Sequence, residues 1–181
     1  MKITPTNIKD VLVIEPDIFI DDRGWFTELY NKEKLKTFGI DVDFVQDNYS
    51  LTKKSGTLRG LHFQQNPYAQ SKLVSCTKGA VLDVAVDLRK NSPTYKQWVA
   101  LELTEENKKQ IFIPKGFAHG FLTLADNTKL QYKIDNHYNK GSERTIRYDD
   151  PEIGIDWGNT DPILLERDRN APLFKNSDIN F

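Results

Sequence analysis

The sequence predicts an all-β sandwich or jelly roll, and three observations carry that reading. Short segments of alternating, aromatic or β-branched residues follow one another, compact polar turns separate them, and helical character is confined to two brief stretches. Asp10–Ile20 contains short apolar runs, and Gly24–Tyr30 (GWFTELY) has strand-like content. NKEKLKTFG predicts a helix that Asn31 caps at its start and Gly39 ends. Val42–Ser50 reads as a further strand. Leu82–Leu88 alternates cleanly, with Leu82, Val84, Val86 and Leu88 on one face and Asp83, Ala85 and Asp87 on the other. QWVALEL and QIFIP are strands joined by the polar turn TEENKK, and FLTL and KLQYKI are separated by ADNT. Near the end, LLERDRN predicts a second short helix. No repeat, low-complexity run or linker interrupts the chain, so residues 1–181 are expected to form one domain.

A chain of 181 residues is long enough to bury a substantial core, and 38% hydrophobic with 28% charged residues is a globular composition. The net charge of −1 gives no global field toward nucleic acid or an anionic membrane. Any anionic ligand must instead be held by a few local cations. The single Cys76 excludes an intrachain disulfide, which suits a reducing compartment. The first residues carry no apolar run long enough for a signal peptide or membrane span. A cytoplasmic protein is the expectation.

Three histidines are the first candidates for chemistry. His137, in the polar run IDNHYNKGSE, is accounted for by a solvated loop. His119, in IPKGFAHGF, follows a turn marked by Pro114 and Gly116, and suits either a core position or a cavity wall. His62 stands in LRGLHFQ, with Arg59 and Lys72 nearby in sequence and apolar residues around it, where an unpaired ionisable group is costly. In a regular strand Arg59 and His62 point to opposite faces. A bulge at Gly60 would re-aim one of them. PKGFAH resembles the second motif of metal-binding jelly rolls, but Gln64 stands where a second histidine would follow His62, and no acidic residue comes close behind. No metal site is expected.

LRGLHFQ, QSKLV, DVAVDLRKNSPTY, FIPKGFAHGFLTL, ERTIRYDDPEIGIDW and RDRNAP occur in this order. Together they resemble the dTDP-4-dehydrorhamnose 3,5-epimerase family, over a span from about Asp21 to Pro172. The resemblance implies a cupin-type jelly roll with short peripheral helices. It also implies a nucleotide-linked 4-keto-6-deoxy sugar as substrate, no cofactor, no metal, no nucleic-acid or membrane partner, and a homodimer. In such enzymes the ketone acidifies the C3 and C5 protons, so a base, an oxyanion stabiliser and an acid across the ring suffice. By resemblance, His62 is the base, Asp168 its hydrogen-bond partner, Lys72 the cation facing the C4 oxygen and Tyr132 the acid. His119 contacts ligand, with Asp83 as its partner. Arg59 and Arg23 match phosphate- and ligand-binding positions, where a forked guanidinium suits diphosphate oxygens. Phe26, Glu28, Gln46, Asp47, Asn48, Glu143 and Arg167 fall where family ligand contacts occur, and the strands bearing Arg23 and Phe26 are expected to reach a partner's site. Two departures stand out: Tyr49 where relatives often carry histidine, and Arg167 where lysine is frequent. The rival readings are an epimerase that inverts C3 or C5 alone and a non-catalytic sugar-binding jelly roll. A metal-dependent jelly-roll enzyme is a weaker third.

Overall fold

The computed structural model describes residues 1–159 and 161–181. β1 (Lys2–Pro5) pairs with β2 (Leu12–Glu15), and β3 (Ile18–Asp21) with β4 (Gly24–Thr27) makes a separate two-stranded arm. The helix α1 (Lys32–Thr37) comes next; the Asn31 side chain accepts from the Lys34 amide at 3.1 Å, and Gly39 follows its end at φ +86°. Asn31 thus bounds the helix through its side-chain amide oxygen, and Gly39 through the positive φ that the lack of a Cβ permits. From here the chain crosses repeatedly between two sheets. β5 (Gln46–Thr52) enters the first, β6 (Leu58–Gln64) the second, and β7 (Lys72–Lys78) returns to the first. β8 (Ala80–Asp87) and β9 (Trp98–Thr104) lie in the second, β10 (Gln110–Ile113) in the first, β11 (Phe117–Thr123) in the second and β12 (Thr128–Ile134) in the first. The short β13 (Glu143–Thr145) closes the second sheet, and α2 (Glu166–Arg169) is the helix of LLERDRN. The spatial orders are β1-β2-β10-β7-β12-β5 and β13-β6-β11-β8-β9. This is the cupin-type jelly roll, nearly all β with short peripheral helices.

Two strands differ most in extent from their sequence pattern, and the strand-like Gly24–Tyr30 is strand only to Thr27. The Val42–Ser50 segment becomes strand only at Gln46, because Val42 and Phe44 pack in a cluster with Leu35, Ile40 and Tyr30 around α1. FLTL is the end of a longer strand that starts at Phe117, straight after Gly116 at φ +88°.

Between the sheets, Val74, Cys76, Ile111, Ile113 and Leu130 of the first meet Val81, Ala85, Val99, Leu103, Phe117 and Phe121 of the second. The outer face of the second sheet is also covered. Leu58, Leu61, Val84, Val86 and Leu122 pack there against Ile146, Ile153, Trp157 and Phe174 from the C-terminal segment. This explains the alternation in Leu82–Leu88: its aliphatic face lies under the C-terminal segment, and its Asp-Ala-Asp face looks inward. Asp83 and Asp87 are therefore fully enclosed and need partners. Asp87 finds them in Arg89, Ser92 and Thr94, and Asp83 in His119. No helix among the described residues is long and apolar enough to cross a membrane.

Candidate active site

The site begins with a bulge in β6. His119 of β11 stands opposite His62, but Phe121 stands opposite Arg59, so three steps along β6 match two along β11. Gly60, at φ +134°, absorbs the extra residue, and a Cβ there would sit 2.5 Å from the Gly120 Cα. Two glycines are needed where these backbones touch. The slip reverses strand parity: Leu58 and Leu61 both face the outer cluster, and Arg59 and His62 both face in. They open onto a cavity of about 520 Å³ between the two sheets.

His62, a quarter exposed, sets Nε2 2.9 Å from Oδ1 of the buried Asp168. Burial pushes the Asp168 carboxyl up, but the His62 hydrogen bond, the charges of His62 and Arg167 and the Gly60 amide outweigh it, leaving the group below its ordinary value. An ionised carboxylate only accepts, so Nε2 carries a proton toward it, and whenever the ring holds a single proton the lone pair is on Nδ1. Nδ1 has no hydrogen-bond partner among the described residues. Arg167 lies against the same junction, with Nη2 3.3 Å from His62 Nε2 and Nε 3.4 Å from Asp168 Oδ1. Its Nη1 reaches Glu143 at 3.3 Å, and Glu143 accepts from the Tyr138 hydroxyl at 2.9 Å.

The second histidine has its own aspartate. His119 Nε2 is 3.0 Å from both carboxylate oxygens of Asp83. Burial holds the His119 imidazole below its usual value, against the pull of Asp83. On the opposite wall, Lys72 of β7 sets Nζ 3.5 Å from His119 Nδ1, and burial pushes its ammonium down to about 8 although Asp83 and Glu143 favour the charge. Tyr132 of β12 is also on that wall; burial raises its hydroxyl above the ordinary value, more than Arg59 lowers it, so it is a proton donor at neutral pH.

Gln46 and Asn48 of β5 also line the cavity, joined by a 2.8 Å hydrogen bond. Asp47 points outward and pairs with Lys133. Arg23, Phe26 and Glu28 do not line this chain's cavity: Arg23 pairs with Asp21 on the arm, Phe26 is 68% exposed and Glu28 pairs with Lys34. Ser50, Phe121 and Ile134 are wall residues the sequence reading did not name. Each lies two positions beyond a named one (Asn48, His119, Tyr132), so strand periodicity held the signal. Gln70 and Tyr138 lie outside the strands, where no period points at them. Among the described residues, no group of three or more His, Cys, Asp or Glu is placed to hold a metal ion.

The family model for dTDP-4-dehydrorhamnose 3,5-epimerase matches residues 5–176. A Shigella flexneri protein of that name is 48% identical, with 98% of each chain covered. A Bacillus anthracis dTDP-4-dehydrorhamnose 3,5-epimerase, solved with TDP and PPi bound, superposes with a TM-score of 0.93 at 49% identity, covering 96% of this chain and 99% of that one. A Legionella pneumophila dTDP-6-deoxy-D-glucose-3,5-epimerase, solved with dTDP-4-keto-L-rhamnose, gives the same TM-score at 44% identity, covering 98% and 94%. With motif order, fold and full-length matches in agreement, the chain belongs to the dTDP-4-dehydrorhamnose 3,5-epimerase family.

Proposed function

We propose that the protein is a dTDP-4-dehydrorhamnose 3,5-epimerase, a cytoplasmic isomerase acting as one domain per chain and needing no cofactor. It converts dTDP-4-dehydro-6-deoxy-D-glucose to dTDP-4-dehydro-L-rhamnose. The observation that carries this reading is a histidine with one ring nitrogen free, set on the opposite sheet from a protonated tyrosine and a lysine that line the same cavity. His62 Nδ1 removes the proton from C3 or C5, each acidified by the C4 ketone. Lys72 donates to the C4 oxygen as it becomes an enolate oxyanion, an interaction of about 3 kcal/mol in such sites. Tyr132 returns a proton from the other face, inverting the centre. Asp168 holds the imidazole and balances its charge once protonated. Arg59 and Arg167, at the cavity wall, suit the diphosphate.

The arm completes the proposal. Ile20 is 82% exposed, Phe26 68%, Phe19 61% and Trp25 59%, an apolar hairpin that pairs with neither large sheet and touches the body of the chain where Lys108 lies over the Trp25 ring. Such a surface on a soluble chain calls for a cover. In the proposed homodimer it lies on the second chain, bringing Arg23, Phe26 and Glu28 to the partner's site. Sedimentation is expected to give a dimer, and a fully active monomer would defeat this part of the reading.

Turnover in deuterated water tests the chemistry. NMR of the recovered sugar is expected to show solvent deuterium at both C3 and C5. Tyr132→Phe is expected to keep exchange where His62 reaches while delivering little inverted product. Label at one carbon only would identify a single-centre epimerase, and no label a binding protein.

A further inference from the structure

Lys72 is a cation turned into a largely enclosed space, and no carboxylate among the described residues comes within ion-pair distance of its Nζ. Its near neighbour is an imidazole nitrogen, His119 Nδ1, at 3.5 Å. An ammonium has donors only, so it needs an acceptor there. Whether His119 offers one depends on its tautomer, which Asp83 sets from behind. Asp83 has no solvent contact, and both its oxygens lie 3.0 Å from His119 Nε2. The N–H must therefore sit on Nε2, and Nδ1 keeps a lone pair toward the lysine. The opposite tautomer would set N–H against N–H and leave a buried carboxylate unpaired. Both residues stand on neighbouring strands, with Phe121 opposite Asp83 and His119 opposite Ala85, so regular backbone fixes them.

We propose that Asp83 and His119 are positioning residues for Lys72: the carboxylate locks the imidazole tautomer, the imidazole Nδ1 accepts a hydrogen bond from one ammonium N–H, and the remaining N–H groups are left to serve the C4 oxygen. The inference rests on the assignment of Lys72 to that oxygen in the proposed reaction. Lys72 shares its cavity with His119 of β11, Glu143 of β13, Arg59 and His62 of β6, Tyr132 of β12, Arg167 of α2 and Tyr138, and Asp83 of β8 stands behind His119. Asp83 and Glu143 favour its charged form, and burial opposes it.

The test is an NMR titration of the Lys72 side chain in the ligand-free protein, paired with pH profiles of kcat and KM. The wild-type midpoint is expected at about 8. Asp83→Asn removes the charge and frees the tautomer, and is expected to lower the midpoint by about one pH unit. His119→Leu, which has no acceptor, is expected to lower it likewise, whereas His119→Gln, whose amide oxygen can accept, stays near wild type. The alkaline limb of kcat is expected to follow the midpoint, with KM changing less. Unmoved midpoints in Asp83→Asn and His119→Leu would overturn the proposal. If Asp83→Asn fails to fold, the contrast between Leu and Gln at position 119 decides alone. Midpoints that move while the kcat limb stays fixed would uphold the lock on Lys72 and overturn the underlying assignment of Lys72 to the C4 oxygen.

Discussion

The cavity holds two histidine–aspartate pairs side by side, on the adjacent strands β6 and β11, and they differ in what lies at the histidine's other nitrogen. His62 is a quarter exposed, is backed by the buried Asp168, and leaves Nδ1 without a partner among the described residues. His119 is backed by Asp83, almost wholly enclosed, and its Nδ1 meets Lys72. A carboxylate behind an imidazole does not by itself make a base. It fixes which nitrogen holds the proton, and the occupancy of the second nitrogen decides whether the ring is free to react or serves to hold a neighbour.

The sharpest break between the pairs is expected from alanine. His62→Ala should reduce epimerisation by about 10²–10⁴-fold and abolish solvent exchange at both carbons, because it removes the proposed base. His119→Ala should cost less and retain exchange. Equal losses, with exchange gone in both, would erase the distinction. Next in size is the pH response. The Lys72 ammonium lies near 8, so kcat is expected to fall as pH rises through that value, since deprotonation removes the donor to the C4 oxygen. A flat kcat from neutrality to well above 8 would remove Lys72 from the reaction. The smallest effect concerns stability. Lys72 titrates lower in the folded protein than in an unfolded chain, so the unfolded state binds the extra proton between about 8 and 10.5, and stability contributed by this group rises with pH across that window. Below it the folded state bears the full cost of an enclosed charge. Lys72→Met is thus expected to stabilise the inactive protein by about 1 kcal/mol at neutral pH, with the gain shrinking above pH 8, as denaturant melts can measure.

Most of the strand segments were legible in the chain itself, whereas most of the cavity wall was reached through the family resemblance. Leu82–Leu88 announced a strand by its alternation, though not that its aspartate face is also buried, and Asn31 with Gly39 announced α1, because the signals lie within a few residues of each other. Gly60 offered the one device that could bring Arg59 and His62 to one face, and the bulge at that point does so. The pairing of His62 with Asp168 was reachable only through family resemblance, since nothing local links residues 106 apart. Tyr138 was missed because an irregular loop carries no period. Arg23, Phe26 and Glu28 sit on the arm rather than in this chain's cavity, a separation decided by how the chain leaves the sheet and invisible in residue type.

The place of α2 in the chain bears on how the protein is made and refolded. Asp168 arrives late, after both sheets have been threaded, carried by the same C-terminal segment that seals the outer face of β6, β11 and β8. During synthesis, His62 emerges with its strand long before the carboxylate that sets its tautomer. A ribosome-bound chain that stops before α2 has the strands of the cavity wall but lacks Arg167 and the carboxylate that sets the His62 tautomer. Ordering this distant contact also exacts the loop-closure entropy of a long segment, which slows folding of non-local β topologies. Recovery of epimerase activity after dilution from denaturant should therefore lag behind the return of β-sheet signal, making catalysis a reporter of the last docking step.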